Sequence, residues 1–313
     1  MTETTLPPLT QAEREQLWPA LPLKEWQDTY RTVHMWTQIV GKVKLELHPY
    51  INHWWHTTLL VTPRGLTTGS IPYGRNTFEI NFDFIDHQLF LLTSQGAIRS
   101  MPLIPRSVAD FYREFMALLR AENIHVAINT LPNEVTDPIH CDVNERDASY
   151  DVVTINRFWR ILVQVDRVFK EFRSDFIGKS SPVHFFWGAF DLAVTRFSGQ
   201  RAPERKGADA VTREGYSHEV ISCGFWPGGG PIAGPAFYAY AAPEPDGLKT
   251  ATIRPQEAFY HPDLSEFLLM YDDVRKAASP DQMILDFCQS TYDAAATLAH
   301  WDRAALERQH NIP

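Results

Sequence analysis

Residues 181–199, SPVHFFWGAFDLAVTRFSG, constrain the fold more than any other stretch of this chain. They are almost wholly apolar, yet His184, Asp191 and Arg196 lie among them. Burying a bare charge is so unfavourable that each of these groups must be paired, hydrogen-bonded or put to use. The pattern predicts a central strand forming the floor of a site. On a regular strand His184, Phe186, Gly188, Phe190 and Leu192 share one face, and Phe185, Trp187, Ala189 and Asp191 the other. Only one of His184 and Asp191 then faces the site, with His184 the expected one, unless a bulge at Gly188 resets the alternation. Asp191 suits a buried ion pair with Arg157, Arg160 or Arg196 equally well.

The rest of the composition sets bounds. With 313 residues, of which 44% are hydrophobic, the chain can bury a large core in one domain or two closely packed ones. A net charge of −9 argues against a protein built to hold nucleic acid or an anionic membrane surface. Cys141, Cys223 and Cys288 are far apart and form no CxxC pair, which fits free thiols in a reducing compartment. The N-terminal MTETTLPPLT has no basic and apolar signal regions, and no run is long and apolar enough to span a bilayer. The expectation is a cytoplasmic protein.

Hydrophobic periodicity divides the chain into helices and strands without a regular βαβ alternation. Helices are predicted over residues 24–40, 108–122, 151–176, 265–277 and 279–299, and strands over 54–62, 78–84, 89–93, 97–103, 125–128, 219–226 and 236–241. In the strand at 78–84, Glu79, Asn81 and Asp83 alternate with buried aromatics and are free to supply hydrogen bonds. Residues 1–20 read as an extended lead-in, and 200–215 as a charged, mobile connector. The class expected is α+β, with mostly antiparallel sheet and helices packed against it.

Several motifs carry chemistry. His53 and His56, in NHWWH, fall on opposite faces of a strand, so joint metal ligation needs a turn or bulge between them. Ser217-His218-Glu219 opens a strand, where His218 and Glu219 point opposite ways. Gly178-Lys179-Ser180 has the ending of a phosphate-binding loop, but Arg173 stands where its first glycine belongs and a helix precedes it. The glycines of WPGGGPIAGP have no lysine and no following helix, and read as a flexible rim.

Together, the strings HMWTQIVGKVKLEL, NHWW, RGLTTGSIPYG, FEINFDFIDH, PRSVADFY, FIGKSSPVHFFWGAFDLAVTRFSG, YSHEVISCGFWPG and STYDAAATLAHWDR resemble a bacterial family catalogued as domain of unknown function 5996. The resemblance runs from about Leu21 to Arg303 and implies one complete family unit without an appended module; the expected organisation is a single compact unit, with the halves 21–130 and 150–303 sharing one core as an option. It brings no activity with it. His34, His53, His184, His218 and Glu219 lie within its strings.

Two functions follow. In the first, an enzyme uses His184 and His218 with Glu219 or Asp191 as catalytic groups, and His53, His56, His184 and His218 are the candidate ligands of a divalent metal. In the second, a non-catalytic protein holds a small organic molecule between Trp54, Trp55, Tyr73, Trp187 and Trp226.

Overall fold

A computed structural model describes residues 10–309. The polar lead-in carries a short helix, α1 (Gln11–Leu17), because Thr10 and Glu13 close a reciprocal capping box. The buried helix α2 (Leu23–Leu47) follows and runs on through Gly41, well past the expected end. A 3-10 turn at Asn52–Thr57 replaces the first four residues of the strand expected over 54–62, with His53 and Trp54 both left-handed. Strands β1 (Leu60–Thr62), β2 (Gly65–Thr67), β3 (Ile71–Tyr73), β4 (Asn76–Asp83), β5 (Gln88–Thr93) and β6 (Ile98–Pro102) build the N-terminal sheet in the order β1-β2-β4-β5-β6, with β3 also on β4. The helices α3 (Val108–Ala121) and α4 (Val152–Ser174) come next, and residues 125–128 form no strand between them.

The C-terminal sheet is built from β7 (His184–Phe186), β8 (Asp191–Arg201), β9 (His218–Trp226), β10 (Ala236–Ala242), β11 (Phe259–His261) and β12 (Glu266–Met270). Its order is β11-β12-β10-β9-β8-β7, with every pair antiparallel. A short α5 (Ala210–Gly215) precedes β9, and α6 (Tyr271–Lys276), α7 (Pro280–Leu298) and α8 (Arg303–Leu306) close the chain. The region expected to be one helix over 265–277 is therefore the strand β12 followed by one helical turn and a half. The fold is α+β. Mutual backbone hydrogen bonds between Leu59 and Phe185, both 2.9 Å, join the two sheets at one point.

Residues 181–199 are the largest departure from the sequence reading, because they form a hairpin and not one strand. His184 pairs with Ala193 and Phe186 with Asp191, across a turn at Trp187–Phe190 closed by the Phe190 amide on the Phe186 carbonyl at 2.8 Å. The turn has none of the Asn, Asp or Pro signals that mark such reversals. Phe190 takes a left-handed φ of 62°, unfavourable for a bulky residue, and the packing of its ring offsets this. That ring is fully buried and stacks on Phe158 at 5.2 Å, with Tyr30 and Phe185 each 5.0 Å away. Residues opposite one another on neighbouring strands share a face, so His184 and Asp191 lie on the same side of the sheet.

The other face of the C-terminal sheet is apolar. Leu192, Val194, Ile221, Phe225, Phe237 and Leu269 are buried within a core that runs from Trp18 to Trp301 and also holds the inner face of the N-terminal sheet. Arg196 is the exception on this side. Its guanidinium lies 3.6 Å from the Phe172 ring centre and 4.4 Å from that of Tyr292, and it donates to the Phe172 carbonyl. Arg196 is thus held by ring faces and a carbonyl. The expected ion pair with Asp191 does not form.

Candidate functional site

The face of the C-terminal sheet turned away from the helices lines a cavity of about 890 Å3. Strict alternation places its residues: Asp191, Ala193, Thr195 and Phe197 from β8, Val220, Ser222 and Trp226 from β9, Tyr238 and Tyr240 from β10, and Glu266 and Leu268 from β12. Gly224 faces the same way and makes room for Tyr238, since a Cβ at Gly224 would lie 2.1 Å from that ring. Tyr238 therefore crosses β9, and its hydroxyl donates to Asp191. Tyr240 stacks beside it with ring centres 6.1 Å apart and meets the Tyr216 hydroxyl at 3.0 Å.

Three segments roof this face. The left-handed residues of the 3-10 turn bring His53, Trp54 and Trp55 over it, α5 adds Val211 and Thr212, and the irregular 131–135 loop adds Glu134. Glu134 itself has a left-handed φ of 55°, and its carboxylate reaches Gly188, where a Cβ would come within 2.4 Å. A polar stripe on α2, spaced four residues apart, fixes this rim. His34 Nε2 lies 2.8 Å from the Gly188 carbonyl and 3.0 Å from that of Trp187. Gln38 donates to the Asn133 carbonyl and accepts from its amide, both at 2.8 Å. Lys42 donates at 2.7 Å to the Leu131 carbonyl and to Asn133 Oδ1. All three side chains are buried, and each satisfies backbone groups that no strand or helix pairs.

The electrostatics of the cavity are one-sided. Glu46, Glu134, Asp191 and Glu266 line it, and among the described residues no lysine or arginine does. Burial pushes the Asp191 carboxyl up to about 7; the Tyr238 hydrogen bond opposes this, and the nearby Glu134 and Glu266 add to it. Burial also takes Glu266 to about 7 and raises Glu134, which Asp209 raises further. Around these acids stand Trp187 and Trp226, with Trp187 fixed by its Nε1–H donating to the Thr57 carbonyl at 2.7 Å.

The residues expected from sequence are partly gathered here. Trp54, Trp55, Trp187, Trp226 and Asp191 all line the cavity. Tyr73 does not: its ring packs on Phe78 in the N-terminal sheet and its hydroxyl accepts from the His125 amide at 2.9 Å. Glu79 and Asp83 also belong to that sheet, where Thr67 donates to Glu79 at 2.8 Å and Arg64 pairs with Asp83. His184 is on the cavity side but sealed behind Trp55 and Phe186, whose rings lie 6.0 and 5.8 Å away. Burial, reinforced by Lys44 and Arg173, lowers it to about 3, so it is a neutral wall residue. The expectation that His184, and not Asp191, faces the site is thus reversed by the hairpin.

The imidazoles do not converge. His56 Nδ1 is turned to the Ile51 amide at 3.2 Å, and His53 Nδ1 to the Glu214 carbonyl at 3.0 Å. His218 is 5.8 Å from His53 between ring centres, and Ser217 Oγ lies 3.1 Å from its Nδ1. Glu219 points to the opposite side of β9 from His218, outside the cavity lining. Among the described residues no three His, Cys, Asp or Glu side chains stand together as a metal set would require, and His53, His56, His184 and His218 are not such a set.

Residues 18–308 match the family described as a family of unknown function, DUF5996. The chain belongs to that family. No curated protein and no solved structure matches it. Within this DUF5996 chain, sequence reasoning missed Glu134, Tyr238 and Glu266. The alternation AFYAYA was the available signal for Tyr238 and Tyr240, because tyrosines two apart on a strand share a face. Glu266 was hidden by the helical reading of its strand. Nothing local marks Glu134, whose place depends on α2 contacts about 90 residues away.

Proposed function

We propose that this protein binds a small organic cation, an amine or a quaternary ammonium compound, in the cavity of its C-terminal sheet. The observation that carries this reading is the lining around Asp191: carboxylates beside a wall of Trp and Tyr faces, with no lysine or arginine lining the cavity among the described residues. Aromatic faces attract cations by about 0.5–2 kcal/mol each, more where water is excluded. Carboxylates kept protonated near neutral pH by burial become good partners once a cation enters, because its charge favours their ionised form. Neutral sugars or aromatics would use the ring walls but leave the acids without a counter-charge.

Thermal-shift measurements at pH 8 on the full chain test the reading with tetraethylammonium, its neutral isostere tetraethylmethane, and acetate. Stabilisation by the cation alone is expected, since a ligand that binds only the folded state raises the melting temperature. Equal shifts with the cation and the neutral isostere would overturn it.

A catalytic reading rests on one further observation. Asp191, held near pH 7 and bonded to Tyr238, is poised to take or give a proton on a bound ligand. Acid–base turnover of an amine-bearing substrate would then disappear in Asp191→Asn, while cation affinity fell only in part.

A further inference from the structure

The cavity has a second end. Lys179 Nζ lies 2.6 Å from His53 Nε2, 4.9 Å from the Phe197 ring centre and 5.5 Å from that of Trp55. His53, Phe197 and Trp55 all line the cavity, so they connect this ammonium to it. Because the His53 Nδ1–H is directed at the Glu214 carbonyl, Nε2 carries the lone pair that accepts from Lys179. The ammonium keeps two further N–H groups, and no carboxylate lies within 4.0 Å of it among the described residues. Glu214, whose charge acts on Lys179 from farther away, accepts from the His53 amide at 3.2 Å. His218 stands beside His53, and Arg201 is opposite His218 in the strand ladder. Lys179, His53 and His218, with Arg201 beside them, thus gather at one end of the cavity around the single carboxylate of Glu214, away from the acids Asp191 and Glu266.

We propose that this end is an anion subsite, so that the ligand is bipolar: a slender molecule with a cationic group at one end and a carboxylate at the other. The inference rests on the cation reading of the Asp191 end. Asp191 and Phe197 line the cavity from the same face of β8 and are six residues apart, which is roughly 20 Å of strand at ~3.3 Å per residue. The Asp191 and Lys179 side chains shorten the gap between the two charges. A volume of about 890 Å3 drawn out over that length is a slot, suited to a chain or a row of single rings. Burial and the neighbouring Lys179 both lower His53 and His218, and an anion bound there relieves that mutual repulsion.

Calorimetric titration of the full chain at pH 8 with 8-aminooctanoate, octylamine and 4-aminobutanoate tests the proposal. At least a tenfold tighter Kd is expected for 8-aminooctanoate than for octylamine, and no such gain for 4-aminobutanoate, which is too short to span. Lys179→Met should erase the tenfold gain and leave octylamine unchanged, and Lys179→Arg should keep it. Equal affinity of 8-aminooctanoate and octylamine in the native protein, or a gain that survives in Lys179→Met, overturns the anion subsite alone. Failure of octylamine to bind overturns the cation reading and the bipolar ligand with it. Lys179 is exposed, so melting curves of the variants should match the native one.

Discussion

The two sheets of this protein begin alike and end differently. Each has six antiparallel strands with one apolar face in the shared core. In the N-terminal sheet the second face is plain surface: Ile98 and Ser100 are exposed, and Glu79 answers the neighbouring Thr67. In the C-terminal sheet the same alternation places Asp191, Ser222, Tyr238, Tyr240 and Glu266 outward, and a 3-10 turn, a loop and α5 roof them. A polar sheet face becomes a site only when something covers it, since shielding from water is what raises the two carboxyls to about 7.

Substitutions should separate the two faces clearly. The largest effect is expected at Gly224→Leu, where a side chain must displace the Tyr238 ring; a loss of about 3 kcal/mol in urea unfolding is expected, with loss of cation binding. A loss under about 0.5 kcal/mol would show that Tyr238 is free to move. Next, Gln38→Ala leaves the Asn133 amide and carbonyl without partners, which should lower stability by about 2 kcal/mol and weaken cation binding as Glu134 loses its support. The matching change on the open sheet, Ile98→Ala, should stay within about 0.5 kcal/mol, because that side chain is 66% exposed.

A pH series sharpens the comparison. Asp191 and Glu266 titrate near 7 in the folded protein but near 4 in the unfolded chain, so between those values the folded state holds the extra protons. Their contribution to stability is therefore greatest below pH 4 and is lost as pH rises to about 7. His184 and His34, lowered to about 3 and about 4 by burial, act oppositely: their contribution is full above pH 6.5 and is lost as pH falls towards 4. Asp191→Asn should accordingly raise stability at pH 8 by on the order of 2 kcal/mol and change it little at pH 4. Equal effects at both pH values would show that Asp191 is ionised throughout.

Much of this was legible from sequence, and the failures have a common cause. The long helices at 108–121 and 152–174 and the alternation of β4 and β9 were readable because the pattern of one element sets its own buried face. Four of the five aromatic residues expected at a pocket do line one, Tyr73 being the exception. What misled was chain reversal with weak turn signals, since Gly188 reads equally well as a bulge within one strand. WGAF at 187–190 and HWW at 53–55 look like strand, yet each contains left-handed non-glycine residues held by packing from elsewhere. One unrecognised hairpin was enough to exchange the roles of His184 and Asp191. Glu134 was beyond reach because its position depends on Gln38 and Lys42 of another element.

On the cation reading, buried carboxylates and not aromatic walls alone select the ligand. The most direct test is the calorimetric affinity of tetraethylammonium at pH 6 and pH 8, in the native protein and in the double variant Asp191→Asn with Glu266→Gln. In the native protein, binding should tighten at least tenfold between the two pH values, with protons released, and the double variant should bind weakly and independently of pH. The same affinity at both pH values, or native-like binding by the double variant, would show that these carboxylates do not select the ligand.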